Sequence, residues 1–119
     1  MLEVKNVRCG YDNNEIIKGV SFNVEPGSNL CIVGPNGCGK STLLKSIANL
    51  LNYKGSILLN GKEISKFNRK DLAKNIALMS QASSIYFPYT VYETVSLGRY
   101  AHLKGVFSRM SKSDEEIII

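Results

Sequence analysis

Apolar and polar positions alternate over residues 2–8 (LEVKNVR), the pattern of a strand with one buried face. Gly10 breaks the pattern, and Tyr11-Asp12-Asn13-Asn14 reads as a polar turn. A second β-rich run over 16–24 (IIKGVSFNV) stops at Pro26-Gly27, so the first two strands are expected to pair antiparallel. Residues 29–34 (NLCIVG) form a short apolar run, as expected of a strand covered on both faces of an α/β sheet. In KSTLLKSIANLL (40–51), Leu43, Leu44, Ile47, Leu50 and Leu51 recur at helical spacing and predict an amphipathic helix. A strand over 55–59 closed by Asn60-Gly61, a short helix around 71–75 and a strand over 76–80 (IALMS) follow.

From residue 81 the texture changes. QASSIYFPYT reads as a loop, TVYETVSLGRY as helical until Gly98, and HLKGVFSRM as irregular. SKSDEEIII carries a helix-start signature, with Ser113 as the cap and Glu116 three residues on. That cap and its acidic first turn announce a helix with little body. The expectation is therefore that the chain is the N-terminal part of a longer protein.

Composition narrows the options. With 119 residues, 44% of them hydrophobic and 21% charged, the chain suits one soluble globular domain. No run approaches the roughly 18 apolar residues of a membrane span, and the N-terminus lacks the apolar core of a signal peptide, so a cytoplasmic location is expected. Three cysteines form an odd set without a CxxC pair, which argues against a disulfide framework or a zinc site. The single histidine, His102, reads as a surface or packing residue. The net charge of +5 is scattered, and its densest stretch, Lys62 to Lys74, is interleaved with Glu63 and Asp71. This is the composition of a solvated face and implies no nucleic acid.

The chemistry is concentrated in GPNGCGKST, residues 34–42, which fits G-x-x-x-x-G-K-[ST] at Gly34, Gly39, Lys40 and Ser41. The motif follows an apolar run and opens an amphipathic helix, the neighbours it requires. Its glycines, with Asn36 and Gly37 between them, let the backbone curl around phosphate oxygens. The helix N-terminus adds partial positive charge. Lys40 is expected on the β- and γ-phosphates, Ser41 on Mg²⁺, and Thr42 on a further phosphate oxygen. Cys38 reads as a small residue that fits the loop, where alkylation would block nucleotide binding by bulk.

The stretch from VRCGYDNNEIIKGVSFNVEPG through the phosphate loop to YKGSILLNGKEI resembles the start of an ATP-binding cassette (ABC) transporter ATPase subunit. The resemblance implies an α/β P-loop NTPase core, incomplete, with an N-terminal antiparallel β-subdomain and the start of a helical subdomain. The boundaries it implies are 1–80 for the β-subdomain and phosphate-loop core, 81–90 for the Q-loop and 91–119 for the helical part. Tyr11 stands where the family places the aromatic residue that stacks on adenine, and Gly55 and Gly61 match its GxIxxxG hairpin. Gln81 matches the Q-loop glutamine, which contacts Mg²⁺ and the attacking water. Ser28 stands where an acidic residue is usual.

TVYETVSLGRYAH is similar to the branch that imports iron-siderophores, haem and cobalamin, matching at Thr90, Val91, Glu93, Gly98, Arg99, Tyr100 and His102, with Ala101 in place of proline. The resemblance implies ATP and Mg²⁺ as cofactors and a second ATPase subunit as partner. It also implies a membrane permease docked on 81–102, with Tyr86, Phe87, Tyr89 and Tyr92 as contacts, and a peripheral position at the inner face of the membrane. The family's signature motif, its Walker B run and its switch histidine do not occur here, so the chain by itself is expected to be inactive, with the edges of its phosphate-loop strand prone to self-association. Two alternatives stay open: another P-loop NTPase, and a truncated, non-catalytic interaction module.

Overall fold

The computed structural model describes residues 1–81, 88–103 and 109–118. They divide into two compact units, Met1–Asn68 and Arg69–Ile119.

The first unit is built on a four-stranded sheet of order β2-β1-β3-β4, comprising β1 (Leu2–Tyr11), β2 (Asn14–Val24), β3 (Tyr53–Leu59) and β4 (Lys62–Glu63). Every pairing is antiparallel, as the alternating first runs imply. The helix α1 (Lys40–Ile47) contributes Leu43 to a core that also holds Val4, Val7, Cys9, Ile17, Ile57 and Ile64.

The alternation in β1 is interrupted once. Val4 pairs with Phe22 and Val7 with Val20, so β1 holds an extra residue at this level, and the same slip recurs against β3 between Lys5 and Arg8. Asn6 takes φ 48° there, flanked by Gly19 at φ 104° and Gly55 at φ 96° on the neighbouring strands. A Cβ on Gly55 would stand 2.4 Å from the Asn6 carbonyl oxygen, so only glycine fits.

The Asn60-Gly61 turn forms as expected. Both residues have positive φ, 49° and 79°, the requirement of a two-residue hairpin between β3 and β4. Glu63 anchors this hairpin from inside. Its carboxylate accepts from the Tyr53 hydroxyl (2.7 Å), the Ser56 hydroxyl (2.5 Å) and the Ile57 N–H (3.0 Å). Burial pushes the Glu63 carboxyl up, but the bonds from Ser56, Tyr53 and Ile57 outweigh it and hold the group below the usual carboxylate range. Burial and the bond to Glu63 raise the Tyr53 phenol.

Two expected strands depart from expectation. Residues 29–34 and 76–80 carry no ladder pairing among the described residues. Their apolar side chains are correspondingly open, with Val33 84% and Met79 94% exposed. An apolar run supplies strand propensity, but a strand also needs a neighbour for its N–H and C=O groups. The helix expected over 40–51 ends at Ile47. Asn49 turns left-handed at φ 56°, and the Leu50 N–H reaches back to the Lys45 carbonyl (2.8 Å), closing the C-terminus.

In the second unit, α2 (Arg69–Ala73) packs Leu72 inward, and α3 (Val91–Ser96) runs into a 3₁₀ segment, Leu97–His102, with Ala101 buried. The Lys70 ammonium donates to the Leu103 carbonyl. Thr90 and Glu93 form a full capping box at the start of α3. The last helix, α4 (Lys112–Ile118), is capped by Ser111 and Asp114 rather than by Ser113 and Glu116. The Ser111 N–H and hydroxyl both donate to Asp114 Oδ2, and Asp114 N–H donates back to the Ser111 hydroxyl. Arg99 settles the choice, because its Nε (2.9 Å) and Nη2 (2.7 Å) both donate to Asp114 Oδ1.

The bonds from Ser111, aided by Arg99, hold the Asp114 carboxyl at about 2, below its ordinary 3.8. A carboxylate whose pKa is lowered by folding stabilises the fold above its unfolded value, and this is lost as the pH falls through the folded one. In a residue-resolved titration, the Ser111 amide is therefore expected to shift with a midpoint near 2. A midpoint near 3.8 would mean that these contacts are absent in solution.

Candidate functional site

The strand pair of the first unit carries Tyr11 to the end of β1, where Asp12 at φ 51° and Asn13 turn the chain directly into β2. Tyr11 pairs with Asn14, so the two are the outer residues of the expected four-residue turn, and Tyr11 is 43% exposed at the end of its strand. Beyond β2, Pro26-Gly27 forms a tight turn with Gly27 at φ 76°. The Ser28 hydroxyl (2.6 Å) and N–H (3.1 Å) both close it on the Glu25 carbonyl, so serine here fastens the turn that leads into residues 29–34.

The loop from Gly34 to Gly39 has the curled backbone its composition requires. Gly37 and Gly39 sit at φ 81° and 104°, a region that side chains oppose. Gly39 is the N-cap of α1, and a Cβ there would lie 2.7 Å from Ile17 Cδ1 and 2.8 Å from Ile16 Cγ2. The glycine thus lets the loop rest on the first residues of β2. The first N–H groups of α1 have no intrahelical carbonyl to meet, which leaves donors and the positive end of the helix at this mouth.

Lys40 lies across the loop. Its Nζ donates to the carbonyls of Gly34 (2.6 Å) and Pro35 (2.8 Å), and Cys38 Sγ is 3.8 Å away. An ammonium held by weak neutral acceptors inside a ring of backbone is placed to exchange them for anionic oxygens. Ser41 is exposed at the start of α1, whereas Thr42 is buried at 6% exposure, so Ser41 carries the open hydroxyl of the pair. This geometry fits a polyphosphate with its divalent cation. Lys40 and the loop backbone would hold the phosphates and Ser41 the Mg²⁺, while the described residues contain no cluster of acidic, cysteine or histidine side chains able to hold a metal alone.

Gln81 belongs to the second unit and is exposed at the edge of the described residues. Tyr86 and Phe87 lie outside them. Tyr89, Tyr92 and Tyr100 are exposed at 48%, 47% and 71%. Arg99 is half-buried and turned to Asp114, and His102 is exposed. One residue at the site escaped the sequence reading altogether. Lys45 of α1 places its ammonium 5.9 Å from the centre of the Tyr11 ring.

The family model for ABC transporters matches residues 17–118. The chain belongs to the ABC transporter family. It is 36% identical to the iron(3+)-hydroxamate import ATP-binding protein FhuC of Bacillus subtilis, over 98% of this chain and 44% of that protein. It is 43% identical to the hemin import ATP-binding protein HmuV of a Chelativorans species, over 82% of this chain and 38% of that protein. Among solved structures, a bacterial Atm1-family ABC exporter with ATP bound superposes with a TM-score of 0.75 at 32% identity, covering 94% of this chain and 18% of the exporter. The partial P-loop α/β core and antiparallel sheet are thus those of an ABC ATPase. The chain spans 38% to 44% of the length of these two curated relatives.

The exposed Cys38 thiol lies 3.8 Å from Lys40 Nζ, and a Cβ on Gly34 would be 2.7 Å from it, so an adduct adds bulk to the loop beside Lys40. Of the other cysteines Cys9 is buried and Cys31 exposed, which makes Cys31→Ser the proper background. Alkylation of that variant by N-ethylmaleimide is expected to weaken ATP-analogue binding at least about tenfold. Undiminished binding after stoichiometric modification would refute a steric role for the position.

Proposed function

We propose that this chain is the nucleotide-binding part of an ABC importer ATPase that energises uptake of an iron-siderophore, haem or cobalamin-like substrate. The observation that carries the reading is the Lys40 ammonium seated within the glycine loop, in a chain similar along its length to a hydroxamate-import ATP-binding protein. Lys40 and the loop backbone bind and orient the phosphates of ATP, Ser41 holds Mg²⁺ against them, and Tyr11 stacks on the base. Gln81 would take the Q-loop role that the family resemblance implies, as a ligand to Mg²⁺ and the attacking water and as the link to a permease. In-line attack on the γ-phosphoryl group is mostly a matter of positioning and charge stabilisation, and bound Mg²⁺ supplies much of the latter.

The partners proposed are a second ATPase subunit and a membrane permease contacting 81–102, at the inner face of the membrane. No described helix is long and apolar enough to cross a bilayer. The 119-residue chain should bind a fluorescent ATP analogue saturably with Mg²⁺ and should not turn ATP over. Turnover that disappears in Lys40→Ala would overturn the inactivity, and no saturable binding would overturn the nucleotide reading. The transport role is tested by a chimera in which this chain replaces the matching part of the Bacillus subtilis FhuC protein. Restored ferric-hydroxamate uptake supports the importer reading, and a folded, ATP-hydrolysing chimera without uptake overturns it.

A further inference from the structure

Lys45 stands on the same face of α1 as Ser41, four residues further along the helix, and both are exposed. It reaches the ring of Tyr11, a residue of a different element, across the surface of the first unit. A separation of 5.9 Å from the ring centre is within the range at which an ammonium is attracted by the negative face of an aromatic ring. Tyr11 is also 43% exposed, so a surface remains for a second planar group. An exposed tyrosine at the end of a strand otherwise has free rotation about its side-chain bonds, which a binding partner must arrest.

We infer that Lys45 is a positioning residue for the purine base. Its ammonium holds the Tyr11 ring from the side of α1 and presents the outer face to the base. The inference rests on the proposed role of Tyr11 as the base platform and adds to it a cation that fixes the platform before nucleotide arrives. It also gives α1 two tasks along one face, with Ser41 at the phosphate end and Lys45 beneath the base.

The test compares ATP with inorganic tripolyphosphate, which meets the loop but has no base to stack. Removing a positive charge weakens both ligands through long-range electrostatics, so the informative quantity is the ratio of their affinities. In the 119-residue chain, Lys45→Met is expected to lower the preference for ATP over tripolyphosphate by about threefold to fivefold. Lys45→Arg should restore the preference, because a guanidinium also stacks on an aromatic face. In a Tyr11→Leu background, Lys45→Met should leave the ratio unchanged, which separates a contact through the ring from any other effect.

An unchanged ratio in Lys45→Met alone would make Lys45 an idle neighbour and overturn the inference while the nucleotide reading stands. A raised ratio would mean that the ammonium occupies the face the base needs, and would overturn it equally. If the unmodified chain binds tripolyphosphate but shows no preference for ATP, the role of Tyr11 falls and this inference falls with it. If it binds neither ligand, the nucleotide reading itself has failed.

Discussion

Gly55→Ala is expected to destabilise the Met1–Asn68 unit by roughly 3 kcal/mol or more, about the most a single exposed-side substitution can do. Two costs add. The residue sits at φ 96°, where a side chain opposes the backbone. The new methyl group would also stand 2.4 Å from the Asn6 carbonyl oxygen and 2.6 Å from the Lys5 carbonyl oxygen, both of them main-chain atoms in the central strand. A flexible side chain could swing away, but a paired strand cannot move without breaking its ladder. Urea unfolding of the two proteins checks this, read as a change in midpoint at constant slope. A midpoint equal to that of the unmodified chain would show that β3 can shift away from β1. Gly61→Ala is the comparison, since it has the same sign of φ (79°) but nothing within 4 Å, and should cost only the backbone term, about 1 kcal/mol.

Lys40→Ala is expected to lower ATP affinity about 100-fold, equivalent to the loss of one or two charge-assisted bonds to phosphate. The same substitution should barely alter folding. The carbonyls of Gly34 and Pro35 that accept from Nζ lie on exposed residues, so water can replace the ammonium. The contrast between a large binding effect and a small stability effect marks a residue kept for its ligand. Measured together by analogue titration and thermal melting, the two numbers decide it. Unchanged affinity would remove Lys40 from the site, and a comparable loss in both would reduce it to a structural tie.

The legible parts of this chain were those whose cause is local. Asn60-Gly61 fixes its own dihedral angles, and the glycines of GPNGCGKST fix theirs, so both were readable from a few adjacent letters. What depended on distant partners was not. SKSDEE offers two serines, each with an acidic residue three places on, and helix-start chemistry alone cannot rank them. The ranking comes from Arg99, fifteen residues earlier, whose guanidinium holds Asp114 and so makes Ser111 the cap. Residues 29–34 and 76–80 have the apolar composition of strands, but ladder bonds are supplied by another segment or not at all. Lys45 was passed over because its partner, Tyr11, lies on another element, and a lysine in an amphipathic helix looks like ordinary surface.

The extra residue in β1 has a consequence at the other end of the strand. Inward positions run Val4, then Val7 and Cys9, so Asn6 changes the parity of everything that follows it. Drawn into the regular ladder instead of bulged, Asn6 would turn inward and the later half of β1 would flip, sending Val7 and Cys9 to the other face and carrying Tyr11 to the opposite side of the sheet, away from α1. The direction in which Tyr11, the proposed base platform, faces is thus set five residues upstream, at Asn6.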